Sequence, residues 1–200
     1  MSQCPYKIAI VGGIGSGKSV VSRLFRLWGV PVYDCDAEAK RLMNDSESLR
    51  FALTEAVGNG VYGADGCLNR SYLAAYMFGH ADRVSLVNGI VHPVVRDDFR
   101  KWTQRIGASL VAVETAILFE SGLDADVDAV LLVYTPEKLR IERAMRRDGT
   151  DEASVRRRME SQRRDEELIP LATYTICNDG ETSVIAQIMA VLEDITKKKK

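Results

Sequence analysis

The chain has 200 residues, of which 46% are hydrophobic and 28% charged, and its formal net charge is −1. This balance is typical of a globular protein with a sizeable core, and the near-neutral charge argues against a general affinity for nucleic acid or membranes. The four scattered cysteines form no C-x-x-C pair, and no basic-then-apolar leader or 18-residue apolar run occurs. We therefore expect a cytoplasmic protein with neither a zinc site nor a disulfide framework.

Five short apolar runs rich in Val and Ile predict the strands of the fold. They are Tyr6–Val11, Val30–Tyr33, Leu110–Val113, Val127–Val133 and Tyr174–Cys177. None alternates with polar residues, which favours a parallel sheet covered on both faces. Helical patterns follow four of the runs, at Ser19–Leu27, Ala37–Met43, Glu137–Arg147 and Thr182–Ile195. Alternating strands and helices predict a doubly wound α/β fold.

The first predicted strand runs into GGIGSGKS, residues 12–19, which matches G-x-x-x-x-G-K-S. A strand before it and a helix after it are the context of a phosphate-binding P-loop, and a ligand-free glycine turn rarely meets both conditions. Lys18 would reach the β- and γ-phosphates, and the Ser19 hydroxyl would ligate Mg²⁺. The predicted nucleotide-binding residues are Gly12, Gly13, Ile14, Gly15, Ser16, Gly17, Lys18, Ser19 and Val20.

Two aspartates follow the second predicted strand, in VYDCDAEAK. Ligands gather at the carboxyl ends of strands in open α/β sheets, and a carboxylate there can orient an acceptor hydroxyl for attack on a phosphoryl group. Asp36 also stands where a residue would cap the helix near Ala37, and the pattern leaves these two roles equally open. The guanine-reading N-K-x-D string and the D-x-x-G string are absent, which favours a small-molecule kinase over a GTPase.

Two segments interrupt the alternation of strands and helices. Residues 37–107 carry helical patterns without a clear strand, and residues 138–164 hold ten basic side chains around a turn at Asp148. In a helix Arg140, Arg143 and Arg147 would share one face, as expected of a lid that closes over a nucleotide. We expect most of the Arg156–Arg158 run to be solvated and the Lys197–Lys200 tail to be disordered.

Six segments follow one another along nearly the whole chain: GGIGSGKS, VYDCDAEAKRL, LVNGIVHPVVRDDF, AILFESGL, ERAMRRDGTDEASVRRRMESQ and TYTICNDG. Together they resemble the motifs of the dephospho-CoA kinase family. The first motif is shared by many P-loop proteins, whereas the joint order and spacing of all six is specific.

The resemblance implies a P-loop kinase-type three-layer fold with a five-stranded parallel sheet. It implies a nucleotide-binding core of residues 1–36, 108–137 and 165–200, a helical acceptor domain of residues 37–107, and a basic lid of residues 138–164. It also implies an enzyme that transfers the γ-phosphoryl group of ATP to the ribose 3′-hydroxyl of dephospho-CoA. ATP and Mg²⁺ are then the expected cofactors, and neither nucleic acid nor a membrane is an expected partner.

Roles for particular residues also follow from the resemblance. Asp36 is expected to orient or deprotonate the acceptor hydroxyl, alongside the catalytic residues Lys18, Arg143 and Arg147. Arg147 and Asn178 are expected to bind ATP, with Asn178 near its adenine end. The residues expected to bind the acceptor are Asp36, His92, Arg96, Leu118 and Glu120.

His92 has a second interpretation, because VHPVVRDDF also reads as the start of a helix with Pro93 at its first position. His92 would then precede the helix as a packed or capping residue, and Arg96 would lie one turn inside it.

The chain departs from the family pattern at Val20, at Glu114 and Ala116, where D-x-P is common, and at Leu139 and Arg140, which stand in place of a frequent lid glutamine. Val20 replaces a common Thr, so a hydroxyl is lost while the backbone N–H toward the phosphates is kept. Glu114 replaces a common Asp, which makes it a weak candidate for a Mg²⁺ ligand.

Two other functions would also use parts of this sequence. One is another small-molecule P-loop kinase, acting on a nucleoside, sugar or shikimate-like acceptor. The other is a nucleic-acid-binding protein that uses the arginine-rich segment, and the net charge and the sparse aromatic residues near those arginines argue against it.

Overall fold

The structure is a computed structural model that describes residues 4–198. Over these residues the chain forms two compact units. One, here called the loop unit, takes in residues up to Tyr33 and from Ile106 onward, and the other, the helical unit, is Asp34–Arg105. Within the described residues no helix is both long enough and apolar enough to cross a membrane.

A five-stranded sheet forms the centre of the loop unit. Its strands are β1 (Tyr6–Val11), β2 (Val32–Asp34), β3 (Leu110–Glu114), β4 (Ala129–Tyr134) and β5 (Tyr174–Cys177). The strand order is β2-β3-β1-β4-β5, and β1 pairs in parallel with both β3 and β4. The predicted α/β fold class is therefore confirmed, and the central strand is the one that leads into the phosphate loop.

Two strands begin two residues later than predicted. Before β4, the Asp128 side-chain oxygen accepts a hydrogen bond from the Lys7 N–H at 2.6 Å, while the Asp128 N–H donates to the Lys7 carbonyl at 2.8 Å. Before β2, the Pro31 carbonyl accepts a bond from the Ala112 N–H at 2.8 Å, and proline itself has no N–H to donate. These local chemistries shorten the strands without changing their order.

The described part of the loop unit contains five α-helices. They are α1 (Lys18–Leu27), α6 (Glu137–Asp148), α7 (Glu152–Glu160), the short α8 (Asp165–Leu168) and α9 (Val184–Lys198). Phe25 of α1 and Ile188 of α9 are fully buried against Ile10 and Leu131 of the sheet. Burying both sheet faces explains why the strands read as continuous apolar runs.

The helical unit contains four α-helices: α2 (Cys35–Asp45), α3 (Glu47–Val57), α4 (Arg70–Met77) and α5 (Ala81–Arg105). Its core includes Leu49 and Leu53 of α3 and Phe99 of α5, all nearly inaccessible to solvent. The 25 residues of α5 run without interruption through Pro93. The predicted helix start at Pro93 is therefore wrong.

The predicted disordered tail is helical as far as it is described. Lys198 ends α9, forms an ion pair with Asp194 at 2.7 Å and donates a hydrogen bond to the Tyr174 hydroxyl at 3.1 Å. The Lys198 ammonium group thus pairs with the Asp194 carboxylate one helical turn away. Residues 199 and 200 of the predicted tail, and residues 1–3 of the predicted core, lie outside the described residues.

Candidate functional site

The phosphate loop lies between β1 and α1, in the strand–loop–helix context that the sequence predicts. At Gly17 the backbone is left-handed, with a φ of 94°, and a Cβ there would lie 2.3 Å from Nδ2 of Asn178. Only glycine fits both the backbone conformation and the available space. The shape of the loop therefore depends on glycine at this position.

The Lys18 side chain folds back over the loop that precedes it. Its Nζ donates hydrogen bonds to the carbonyl oxygens of Gly12, at 2.7 Å, and Gly13, at 3.3 Å. Carbonyl oxygens orient an ammonium group without neutralising its charge. These two contacts therefore place a cation at the loop, where phosphate oxygens would be attracted to it.

Ser19 and Val20 lie in the first turn of α1, and both are exposed. The Val20 N–H donates to the carbonyl oxygen of Gly17 at 2.9 Å. The Val20 N–H thus takes part in the first turn of the helix, and its predicted contact with the nucleotide stays a prediction. Ser19 keeps an exposed hydroxyl at the helix N-terminus, where anions are favoured.

Asn178 supports the phosphate loop from the end of β5. Its Nδ2 donates to the Ser16 carbonyl at 2.8 Å, and its own carbonyl accepts a bond from Arg143 at 2.9 Å. Thr135, which is fully buried, lies within hydrogen-bond distance of the same two carbonyls. Asn178 therefore holds the loop in place through a hydrogen bond. Its predicted position near the adenine stays a prediction. No sequence motif predicts that Thr135 lies at the phosphate loop.

The three arginines predicted to share one helix face have different environments. Arg140 is buried, with Nε on the Ile14 carbonyl at 3.0 Å and Nη1 on Asp165 at 2.8 Å. Arg143 is half-buried on Asn178, whereas Arg147 is exposed. All three lie on α6, as the spacing predicts, but burial against the loop leaves Arg140 with little access to solvent, and only Arg147 is exposed.

Arg147 belongs to an exposed charge cluster. It forms two hydrogen bonds with Asp148, at 2.7 and 3.0 Å, and Arg158 approaches the same carboxylate at 2.6 Å. Hydrogen bonds from the two guanidinium groups hold the pKa of Asp148 well below its usual range. Two cations share one carboxylate, so the cluster keeps a net positive charge beside the turn at Gly149.

Three further predicted residues lie at the end of β3 or after it. Glu114 is the last residue of that strand and is half-buried. Glu120 forms an ion pair with Arg163 at 3.0 Å, and that arginine lies over the Phe119 ring. The Leu118 side chain is only 2% exposed, so its predicted contact with the acceptor stays a prediction.

In the helical unit, the two aspartates have separate roles. Asp34 is the N-cap of α2, because its Oδ1 accepts a hydrogen bond from the Ala37 N–H at 3.0 Å. Asp36 lies in the first turn of α2 and is exposed. The interpretation of Asp36 as the helix cap is therefore wrong, and its carboxylate is left available for another role.

His92 and Arg96 lie one turn apart in the middle of α5. Neither precedes the helix, so the interpretation of His92 as a residue before a helix start is wrong. The Nε atom of Arg96 is buried and has no hydrogen-bond partner. A buried donor of this kind is costly unless a ligand completes it, which favours an anionic group at this position.

One family of known proteins matches these features. A family model described as dephospho-CoA kinase matches residues 6–183. The dephospho-CoA kinase of Porphyromonas gingivalis is 44% identical over 193 residues, which are 96% of this chain and 95% of the relative. That of Bacteroides fragilis is 42% identical over 193 residues, with 96% and 94% covered.

A solved structure is similar over the same extent. The crystal structure of TT1252 from Thermus thermophilus is 34% identical to this chain and has a TM-score of 0.80. The match covers 99% of this chain and 100% of that one. Sequence and fold thus agree over nearly the full length.

Proposed function

Because the chain belongs to the dephospho-CoA kinase family, we propose that it transfers the γ-phosphoryl group of ATP to the ribose 3′-hydroxyl of dephospho-CoA, giving coenzyme A and ADP. The observation that carries this proposal is the phosphate loop at the end of the central strand, with Lys18 held on its carbonyl oxygens. Family membership favours this acceptor over a nucleoside, a sugar or a shikimate-like compound.

Asp36 is the proposed residue that orients the acceptor hydroxyl. It is exposed, and Asp34 caps α2, so the capping hydrogen bond does not occupy the Asp36 carboxylate. A carboxylate can accept the hydrogen bond of a hydroxyl and remove its proton as the hydroxyl attacks phosphorus. The proton lost from the 3′-hydroxyl would then pass to an Asp36 carboxylate oxygen.

Lys18, Arg143 and Arg147 are the proposed cations for the transferring group. Phosphoryl transfer needs positive charge around the phosphoryl oxygens, because the protein contributes mainly positioning and electrostatic stabilisation. The contacts of Arg143 with Asn178 and of Lys18 with the loop are to neutral oxygens, so neither contact cancels a charge. Arg147 shares Asp148 with Arg158 and therefore can change partner at little cost.

Mg²⁺ fits the oxygen donors beside the loop. Ser19 offers an exposed hydroxyl, and we propose it as the protein ligand, with the half-buried Glu114 as the weaker candidate. Within residues 4–198 no group of three or more His, Cys, Asp or Glu side chains could hold a metal ion. A nucleotide-bound Mg²⁺ needs no such group, because phosphates and water complete its ligand shell. When bound, Mg²⁺ would offset negative charge on the phosphates.

Arg96 and His92 are the proposed residues for the anionic part of the acceptor. The buried and unpartnered Nε of Arg96 would be completed by a phosphate oxygen of dephospho-CoA, as a charge-assisted hydrogen bond. Glu120 and Leu118 are also proposed to bind the acceptor, and this proposal rests only on the resemblance to the family. A cytoplasmic location is also proposed, because all four cysteines are free thiols.

A panel of acceptors tests the proposed function. ADP release would be followed with Mg²⁺ and ATP against dephospho-CoA, adenosine, gluconate and shikimate. We expect strong stimulation by dephospho-CoA and much weaker stimulation by adenosine, because adenosine lacks the remote groups whose binding positions the reacting hydroxyl. No stimulation by dephospho-CoA, with stimulation by another acceptor, would contradict the proposal.

A further inference from the structure

Ile14, the third residue of the phosphate loop, is held by one segment of the chain on every side. Its N–H donates to Oε1 of Gln162 at 2.8 Å, and its carbonyl accepts a hydrogen bond from Nε of Arg140 at 3.0 Å. Its side chain is buried among apolar side chains of α6 and α7, namely Ile141, Ala144, Met145, Val155 and Met159. All of these residues belong to the predicted lid, residues 138–164.

The two backbone contacts fix the orientation of successive peptide groups in the loop. The N–H of Ile14 belongs to the peptide that joins it to Gly13, and its carbonyl belongs to the peptide that joins it to Gly15. An N–H that is bonded to a side chain outside the loop does not point into the space where phosphate oxygens would bind. In this conformation the Ile14 N–H therefore sets the shape of the loop instead of serving as a phosphate ligand.

Arg140 is the fixed contact of the two. Its ion pair with Asp165 spans 2.8 Å, and the two side chains are 6% and 14% exposed. The guanidinium packs so closely on the loop that a Cβ at Gly13 would lie 1.8 Å from Nη2. Moving Arg140 would leave two buried charges unpaired, which strongly opposes any change at this contact.

Gln162 is the contact that can break and re-form. It lies two residues after the end of α7 and is half-buried. Its side chain is neutral, and a neutral hydrogen bond contributes much less than a charge-assisted one. The N–H of Gln162 donates to the Met159 carbonyl at 3.0 Å, so the position of the side chain follows the end of α7.

We propose that Gln162 is a positioning residue for nucleotide binding. Its side-chain oxygen orients the peptide between Gly13 and Ile14 when α6 and α7 are packed on the loop, and Arg140 holds the next peptide. The readiness of the loop for a triphosphate thus depends on the packing of residues 138–162, through a side chain that itself does not touch the nucleotide. The use of ATP as a readout rests on the proposed function, whereas amide exchange at Ile14 does not.

Two variants of Gln162 test this inference. Gln162→Met keeps the length of the side chain but has no oxygen acceptor, and Gln162→Glu keeps an acceptor oxygen. We expect Gln162→Met to speed exchange of the Ile14 amide by about tenfold in the nucleotide-free protein, and Gln162→Glu to retain slow exchange. We also expect Gln162→Met to raise KM for ATP by about two- to tenfold, the range of one neutral hydrogen bond, with kcat and KM for dephospho-CoA within about twofold.

Ser161→Ala is the matched control, because the Ser161 hydroxyl bonds only the Arg158 carbonyl of its own helix end among the contacts described. Unchanged Ile14 exchange in Gln162→Met, or an effect on KM for ATP no larger than that of Ser161→Ala, would overturn the proposal. Should Gln162→Met fail to fold, amide hydrogen exchange at Ile14 in the unmodified protein tests the proposal instead. The Ile14 amide must be protected without nucleotide, and exchange as fast as in an open loop would also overturn it.

Discussion

Two arginine–aspartate pairs in neighbouring stretches of the chain show what burial does to the same contact. Arg140 and Asp165 are 2.8 Å apart, and Arg147 and Asp148 are 2.7 Å apart. The first pair is 6% and 14% exposed, whereas the second is 59% and 24% exposed. Water and salt can replace the exposed partner but cannot reach the buried one. Arg140 therefore serves the fold, and Arg147 remains free to exchange its partner for a ligand.

Asp34 and Asp36 repeat this contrast in the helical unit. They are two residues apart, yet Asp34 caps α2 while Asp36 is exposed in the first turn. In each unit, a side chain that stabilises the fold, Arg140 or Asp34, lies near one of the same type that is exposed, Arg147 or Asp36. Changing one member of such a pair while measuring stability and turnover separates a role in the fold from a role in catalysis.

The largest expected effect is at Asp36. Asp36→Asn should lower turnover by about 10²–10⁴-fold, the usual contribution of a positioned general base, with little change in Tm. Asp34→Ala is the comparison variant, because it removes the cap and should cost about 1 kcal/mol of stability with little loss of turnover. Steady-state assays and thermal unfolding of both proteins give the answer. A stable and fully active Asp36→Asn protein would remove Asp36 from the mechanism.

The next effect is on stability, at the buried pair. Arg140→Met should lower the free energy of unfolding by about 3–5 kcal/mol, because it leaves the Asp165 carboxylate buried without its cation. Adding Asp165→Leu to the same protein should recover much of that loss, since an apolar pair needs no charge partner. Urea unfolding of the single and double variants measures both values. A loss below about 1 kcal/mol for Arg140→Met would mean that the pair is far better solvated than its burial indicates.

A smaller effect is expected at Arg143 and Arg147. Arg147→Ala and Arg143→Ala should lower turnover by about 10- to 100-fold and change ATP affinity less, because they offset charge that develops during transfer. Tm should change little for Arg147→Ala. Arg157, which donates to the Ser154 hydroxyl of its own helix, provides the control variant Arg157→Ala. Equal losses from all three variants would indicate a diffuse field instead of specific contacts.

The smallest effect concerns the pH dependence of stability, and it has opposite signs for the two aspartates. Burial raises the pKa of Asp165 above 3.8 despite the nearby Arg140, so its contribution to stability increases as the pH falls through that raised pKa toward 3.8. Hydrogen bonds from Arg147 and Arg158 lower the pKa of Asp148, so its contribution is present above pH 3.8 and is lost below it. Unfolding of Asp165→Asn and Asp148→Asn from pH 6 to pH 3 compares the two. A parallel pH dependence for both variants would contradict the contrast.

The elements with strong local signals could be predicted from the sequence. All five strands and the phosphate loop were predicted because buried parallel strands are continuous apolar runs and the loop needs fixed glycine and lysine positions. Pro93 misled the prediction of α5, because an X-Pro pair usually marks a helix start or end. Here buried residues before and after it, such as Val91 and Val95, hold one helix together.

The rest of the site depends on contacts that the sequence does not encode locally. Gln162 binds Ile14 across 148 residues, and no spacing or composition rule relates the two. Helical periodicity correctly places Arg140 and Arg147 on one helix, but only the packing of the loop decides which of them is buried. The choice between Asp34 and Asp36 as the cap needed the exact start of α2, which sequence patterns locate only within a few residues.

Pro93 also has a consequence for how α5 opens in the native state. It supplies no N–H, so the carbonyl of the exposed Gly89 lacks the i+4 donor that another residue at this position would provide. The hydrogen-bond ladder is weakest at this step, while Val87 and Val91 anchor the first half and Phe99 anchors the second. We therefore expect α5, although it is one continuous helix, to open locally in two segments, with the half that begins at Ala81 fraying while the half that carries Arg96 stays folded.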